Sequence, residues 1–334
     1  MIFRGSTNPP MHLIVAHAGA SSPAGNGGAT VPPALPNLAA LLQRLVPAAR
    51  DGTVKADESD ADDTTLTAPH ERALAREFGW SGADGCLPFA ARAAAADGID
   101  TGNAPWGLVT PAHWHLARDH VALVAPDLLA LGDDESRMLF DAVRELFDGE
   151  GWRFAYGAPL RWHASHEVLR DLPTASLDRA IGRSVDAWTT PAGRDDPRAK
   201  RIRRLQNEVQ MRLHEHPVNE AREARGALPV NSFWLSGCGV RQPERPAPDL
   251  KLIDTLRAPA LAGDGVAWAD AWRALDAGPL AALLHAAKQG APAVLTLCGE
   301  HAARRFEARP QPFWMRLARG FVARPDTAAV LGAL

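Results

Sequence analysis

The first apolar run of the chain, Leu13-Ile14-Val15-Ala16, is short and uninterrupted, and a run of that kind predicts a strand buried on both faces. Leu38, Leu41, Leu42 and Leu45 then recur at helical spacing after Pro36-Asn37, with Asn37 placed to cap the first free N–H groups. A second helix is predicted from Pro69 to Phe78, built on Ala73, Leu74 and Phe78, capped by Thr67 and ended at Gly79. Further on, Val121 to Val124 reads as a strand, and Asp133 or Asp134 opens a helix whose inward face is Leu139, Val143, Leu146 and Phe147. Trp152, Phe154 and Tyr156 alternate after it, so the three pieces together predict a β-α-β unit. Lys200 to His214 predicts a helix with Ile202, Leu205, Val209 and Leu213 on one side, stopped by Pro217. Near the end, Trp268, Trp272 and Leu275 mark one helix, Leu280, Leu283 and Leu284 another, and Val294 to Leu297 a buried strand. No fixed-period repeat runs through the chain, which excludes a solenoid.

Two stretches carry no such pattern. Asp51 to Thr67 is acidic and nearly free of large apolar groups, so burial cannot offset its ordering entropy and a mobile surface loop is expected. Gly25 to Gly28, with Pro32 and Pro33, reads as a flexible connection; it has no Lys-Ser/Thr ending and opens no helix, so it fails the phosphate-loop and dinucleotide patterns. There is no Gly-x-Ser-x-Gly elbow either.

Composition narrows the class. With 334 residues, 46% of them hydrophobic, the chain has enough apolar matter for a full core in two domains or one large α/β unit. Its formal net charge is −3 and its basic residues are scattered, which leaves no footprint for nucleic acid or an anionic membrane. A small soluble ligand or a protein partner is the expectation. The three cysteines, Cys86, Cys238 and Cys298, form no CxxC pair, so reduced thiols in the cytoplasm are expected. The residues before Leu13 contain no signal-like or membrane-spanning run, and Met11 offers a second possible start.

The most specific stretch is His216-Pro217-Val218-Asn219-Glu220-Ala221-Arg222-Glu223-Ala224-Arg225-Gly226, followed by Leu228-Pro229-Val230-Asn231-Ser232-Phe233-Trp234 and Gly237-Cys238-Gly239. It resembles a segment of the archaeal-type, cofactor-independent phosphoglycerate mutases, in which a helix ends at Pro-Val-Asn, an Arg and a Gly follow, and Pro-Ala-Asn leads into a Trp-containing, Gly-rich turn. Ala117-Arg118-Asp119-His120-Val121-Ala122-Leu123-Val124 is similar to that family's Phe-Arg-Cys-Asn strand, and Leu160-Arg161 to its Tyr-Arg pair. The pattern also resembles a bacterial group of RpfE-type regulatory proteins. The resemblance covers Pro88 to Gly239 well and the flanks poorly. It implies an α/β fold with an alkaline-phosphatase-like core, residues 10–83 and 240–334, and an inserted α/β domain, residues 84–239. It further implies that Arg118, Arg161 and Arg222, with Asn219 and Asn231, hold a phosphate or carboxylate of a ligand. An arginine fork suits that role through paired, charge-assisted hydrogen bonds, and it equally suits a structural ion pair; the asparagines equally suit turn capping.

The catalytic positions depart from the family. Its chemistry needs two divalent metals held by Asp and His clusters and a serine that carries the phosphoryl group. Where the family has Asp-Gly after the first strand, this chain has Ala16-His17-Ala18-Gly19; where it has its nucleophilic Ser-Asp pair, the chain has His70-Glu71. Cys298-Gly299-Glu300-His301 is similar to the family's Gly-Asp-His metal-binding turn, with Glu for Asp. His17, Glu300 and His301 are therefore vestigial metal-ligand candidates, and His70 stands at the nucleophile position without a hydroxyl. Three readings follow. The first is a non-catalytic relative that binds a small phosphorylated or carboxylated molecule or a protein partner, with no cofactor. The second is an active phosphotransferase, phosphatase or mutase that uses manganese or zinc on rearranged ligands. The third is a purely structural interaction protein.

Overall fold

A computed structural model of the chain describes residues 11–19, 31–48, 65–147, 149, 151–189, 191–193, 195–308 and 325–334. The expectations for Gly25 to Gly28, for Met1 to Pro10 and for most of Asp51 to Thr67 lie outside these residues. The chain divides into two compact units: the first comprises the described residues of Met1–Asp63, Pro69–Phe78 and Arg245–Leu334, the second Thr64–Ala68 and Gly79–Glu244.

In chain order the first unit begins with β1 (Met11–Val15), α1 (Pro36–Arg44), β2 (Leu45–Pro47) and α2 (Pro69–Phe78). The second unit holds α3 (Phe89–Ala96), β3 (Pro105–Ala112), β4 (Trp114–Leu116), β5 (Val121–Leu123), α4 (Asp133–Arg144), β6 (Arg153–Ala158), β7 (Arg161–Ser165), α5 (Leu177–Ala180), α6 (Pro197–His214), α7 (Pro217–Ala224) and β8 (Ser232–Val240). The first unit then resumes with β9 (Leu250–Ile253), α8 (Arg257–Leu261), α9 (Gly265–Leu275), α10 (Ala281–Lys288), β10 (Ala293–Cys298) and β11 (Ala303–Ala308), and the helix Thr327–Gly332 follows.

The first unit is a five-stranded mixed sheet in the order β2-β11-β10-β1-β9. β10, β1 and β9 are parallel, with Ile14 opposite Thr296 and Leu252, while β11 and β2 run antiparallel at one edge. Every residue of β10 is buried, the pattern of a strand covered on both faces. On one face Leu13, Val15, Leu295 and Leu297 pack against Leu38 and Leu41 of α1 and Trp268, Trp272 and Leu283 of α9 and α10. On the other, Ile14 and Cys298 meet Ala73 of α2. Both strand predictions and the amphipathic helices are present as read. Asn37 is not the cap expected: it lies in the first turn of α1, and the buried carboxylate of Asp276 accepts the N–H groups of Asn37 and Leu38 at 3.1 and 2.8 Å. A side chain 239 residues away does what the neighbouring residue was expected to do.

The second unit is a four-stranded antiparallel sheet, β6-β7-β3-β8, beside a two-stranded hairpin, β4-β5. Val109, Trp162, Ala164 and Phe233 on one face pack against Leu139, Phe140 and Val143 of α4 and Ile202, Leu205 and Val209 of α6. On the other face Trp106 meets Ala90, Ala91 and Ala94 of α3. The predicted β-α-β unit is not formed, because the three-residue β5 pairs with its hairpin neighbour β4 while β6 pairs with β7 in a different sheet. Of Ala117 to Val124, only Val121–Leu123 is strand. Pro217 does not merely end a helix. It opens α7 at the first helical position, where its missing N–H costs nothing, and the His216 ring accepts from Val218 N. α6 begins at Pro197, earlier than expected, because Asp196 caps it through Arg198 N. Among the described residues no helix is long and apolar enough to cross a membrane.

Candidate functional site

In open α/β sheets ligands bind beyond the carboxyl ends of the parallel strands, where the connecting loops diverge. In the first unit that edge lies past Val15 and Cys298. β1 runs into Ala16-His17, and His17 holds a left-handed φ of 54°, a conformation that costs energy in any residue with a side chain and recurs at functional sites. Its carbonyl accepts the Trp268 indole N–H at 3.1 Å, which fixes the turn from beneath. Ala18 N then donates to Cys298 O at 2.7 Å, tying the loop after β1 to the end of β10.

The two loops touch through glycine. A methyl group on Gly19 would lie 3.2 Å from Gly299 Cα, and one on Gly299 would lie 2.5 Å from Leu334 Cβ. Gly299 N bonds to Ala302 O, closing the Gly299–Ala302 turn, and the amides of His301 and Ala302 both donate to Leu334 O. α2 contributes from above. Its second residue, His70, brings its ring to 5.5 Å from that of His17, centroid to centroid, at 43°. Arg72, one residue beyond Glu71, donates to His301 O at 3.4 Å. All three predicted segments therefore meet here, and two of the four predicted side chains, His17 and His70, bring their rings side by side. Glu300 is half-buried and His301 exposed on the adjoining turn. Arg72 was not singled out by sequence, and Trp268 only as the mark of a helix; the glycine after each strand was the available signal, since close backbone approach requires it.

The donor set bears on the metals that the family resemblance implies. Within the first unit the juxtaposed pair is imidazole with imidazole, a ligand type that borderline transition cations accept.

The second unit places four of the five ligand candidates in internal contacts and leaves the fifth, Arg118, on the surface. Arg222 is fully buried; it donates Nε to Leu228 O, Nη2 to Leu129 O and Nη1 to Glu135, which Arg225 also engages. Burial pushes the Glu135 carboxyl up, but the bonds and charges of Arg225 and Arg222 outweigh it and hold that group below the ordinary range. Asn219, also buried, donates to Leu213 O and Val230 O and accepts from Val230 N, so it staples the end of α6 to the approach of β8. Asn231 pairs with the main chain of Trp114 through both its amide atoms. Arg118 is exposed in the β4-β5 hairpin. Arg161 grips Asp97 with Nε and Nη2 at 2.7 and 2.8 Å, and His163 Nε2 meets the same carboxylate at 2.7 Å. The Arg161 hydrogen bond, against some burial and aided by His163, holds Asp97 well below its usual range. Burial pulls the His163 imidazole down against the hydrogen bond and charge of Asp97, and its Nδ1 has no partner among the described residues. Gly157 makes this cluster possible, since a methyl there would sit 2.2 Å from Asp97 Oδ2. Nothing local in the sequence marks Asp97 as the partner, because the pairing spans 64 residues.

No family model matches the chain, and no curated protein matches it. Among solved structures, the cofactor-independent phosphoglycerate mutase of Thermoplasma acidophilum shares 17% identity over 91% of this chain and 90% of that one, at a TM-score of 0.35. A protein of Pyrococcus horikoshii shares 12% identity over 90% of this chain and 87% of that one, at 0.41. At such scores the likeness carries no function over to this chain.

Proposed function

We propose that the chain is a phosphoglycerate-mutase-like protein that binds a small phosphorylated or carboxylated molecule beyond the strand ends of its first unit and performs no mutase turnover. The observation that carries this reading is the pairing of His70 with His17. His70 lies in the first turn of α2, where the family that the sequence resembles carries its phosphoryl group on a serine hydroxyl, and an imidazole stands there instead. Two imidazoles side by side, with a guanidinium two residues beyond His70, offer an anion hydrogen-bond donors. A regulatory role, in which the bound molecule or a protein partner sets the protein's state, is compatible with the same residues.

The test is direct. Inorganic phosphate or 3-phosphoglycerate is expected to raise the melting temperature in a saturable way, since a ligand of the folded state must stabilise it, and His70→Ala is expected to remove most of the shift. Mutase turnover with added manganese is expected to be absent.

A second reading keeps catalysis. Two neighbouring imidazoles are the ligand type that zinc and manganese accept, and His301 lies on the adjoining turn. Stoichiometric metal on elemental analysis, together with turnover abolished by His301→Ala, would establish that reading in place of the first.

A further inference from the structure

Two histidines of the second unit lie outside everything assigned above. His113 links β3 to β4 and is 9% exposed, while His115, the second residue of β4, is exposed. On an extended chain, residues two apart share a face. Their rings accordingly stand together, with centroids 6.2 Å apart and planes inclined by 32°.

The surroundings fix what His113 can offer. Its Nδ1 lies 2.8 Å from Pro229 O, and a carbonyl only accepts, so the proton of the neutral ring sits on Nδ1 and the lone pair on Nε2. A backbone carbonyl behind the far nitrogen is the arrangement that orients an imidazole toward a cation and raises its basicity. The main chain between the two rings is held as firmly: Trp114 N donates to Asn231 Oδ1 at 2.7 Å, and Asn231 Nδ2 donates to Trp114 O at 3.0 Å. His113 O accepts the Val124 amide at 3.1 Å, so the ladder between β4 and β5 continues past the strand.

Spacing and charge both admit a metal ion. A nitrogen bound at about 2.0–2.1 Å sets its ring centroid about 3.2 Å from the ion, so two rings share one ion when their centroids lie within about 6.4 Å. The observed 6.2 Å is inside that reach, and His115, being exposed, has room to turn and close the angle at the ion. Once one ring has bound, the other is presented at high effective concentration. Between His113 and Val124 the formally charged residues are Arg118 and Asp119, which offset each other, so the hairpin sets no net charge against a cation.

We propose that His113 and His115 form a two-point site for one divalent transition cation of the zinc, nickel or copper type, with water completing its coordination. The site shares no residue with the strand-end crevice of the first unit, and nothing in it depends on that reading.

The probe is zinc chloride, titrated by calorimetry into the full chain and into three variants. His115→Gln is a surface change, and His113→Asn keeps a side-chain N–H for Pro229 O while removing the Nε2 lone pair. Both are expected to melt within about 2 °C of the parent in EDTA. The parent is expected to bind zinc saturably at a site that survives His70→Ala, and each hairpin variant is expected to weaken that site roughly tenfold or more. Undiminished affinity in either hairpin variant, zinc uptake removed entirely by His70→Ala, or no saturable uptake by the parent would each overturn the proposal. Loss of the phosphate response on His70→Ala bears only on the first unit, so the two readings fail separately.

Discussion

At the scale of single residues, the lesson of this chain is how arginine is used. Arg222 lies in the motif that most resembles a ligand-binding segment, yet every arm of its fork ends on an internal acceptor. A buried guanidinium held this way makes the loops around Leu129 and Leu228 depend on one charge, and removing one partner of a buried pair leaves the other uncompensated. Arg222→Ala is expected to cost about 3–5 kcal/mol in urea unfolding, whereas joint replacement of Arg222 and Glu135 by apolar residues of similar size should cost much less. An equal cost for the single and double changes would show that the pairing is not the source. The motif itself was legible, because its Pro, Asn, Gly and Trp sit where a turn needs them; the destination of the arginine was not, since Glu135 lies 87 residues away.

At the scale of elements, α2 is the helix whose placement matters most, because it carries His70 and Arg72. Its far end is anchored by a polar chain on the sheet: Thr296 Oγ1 meets His12 Nε2 at 2.9 Å, His12 Nδ1 lies 3.3 Å from Glu77, and Arg305 bridges Glu77 to Glu307. Burial raises the Glu77 carboxyl, but its hydrogen bond and charge contact with His12, then the charge of Arg305, outweigh this and leave it below the ordinary value. A carboxyl depressed in the folded state contributes stability that is present above its unfolded value of about 4.3 and is lost as pH falls through the folded one. The acid limb of the stability curve is therefore expected to be shallower in Glu77→Gln than in the parent, measured by melting temperature between pH 6 and pH 3. Parallel limbs would remove Glu77 from the anchor. Helices and strands with strong periodicity, such as β1, β10, α6 and α9, were legible because burial alone dictates them. The β-α-β unit was misread because strand order is set by pairing partners, and periodicity is silent on which strand lies beside which.

At the scale of the whole chain, each unit owns a core: one gathers Leu38, Trp272 and Leu295 around a mixed sheet, the other Trp162, Val209 and Phe233 around an antiparallel one. Independent cores need not melt together. Leu38→Ala and Val209→Ala, each expected to cost about 2–4 kcal/mol, should shift different parts of a calorimetric trace. A single transition moved equally by both would show one cooperative block. The strand ends of the first unit rest on two glycines, Gly19 facing the backbone of Gly299 and Gly299 facing Leu334, and this floor is indifferent to what stands above it. Imidazole, hydroxyl or carboxylate can be exchanged at positions 17, 70 and 300 without rebuilding the floor. The crevice can therefore change its chemistry by single substitutions, while a lone methyl at position 299 would prise its base apart.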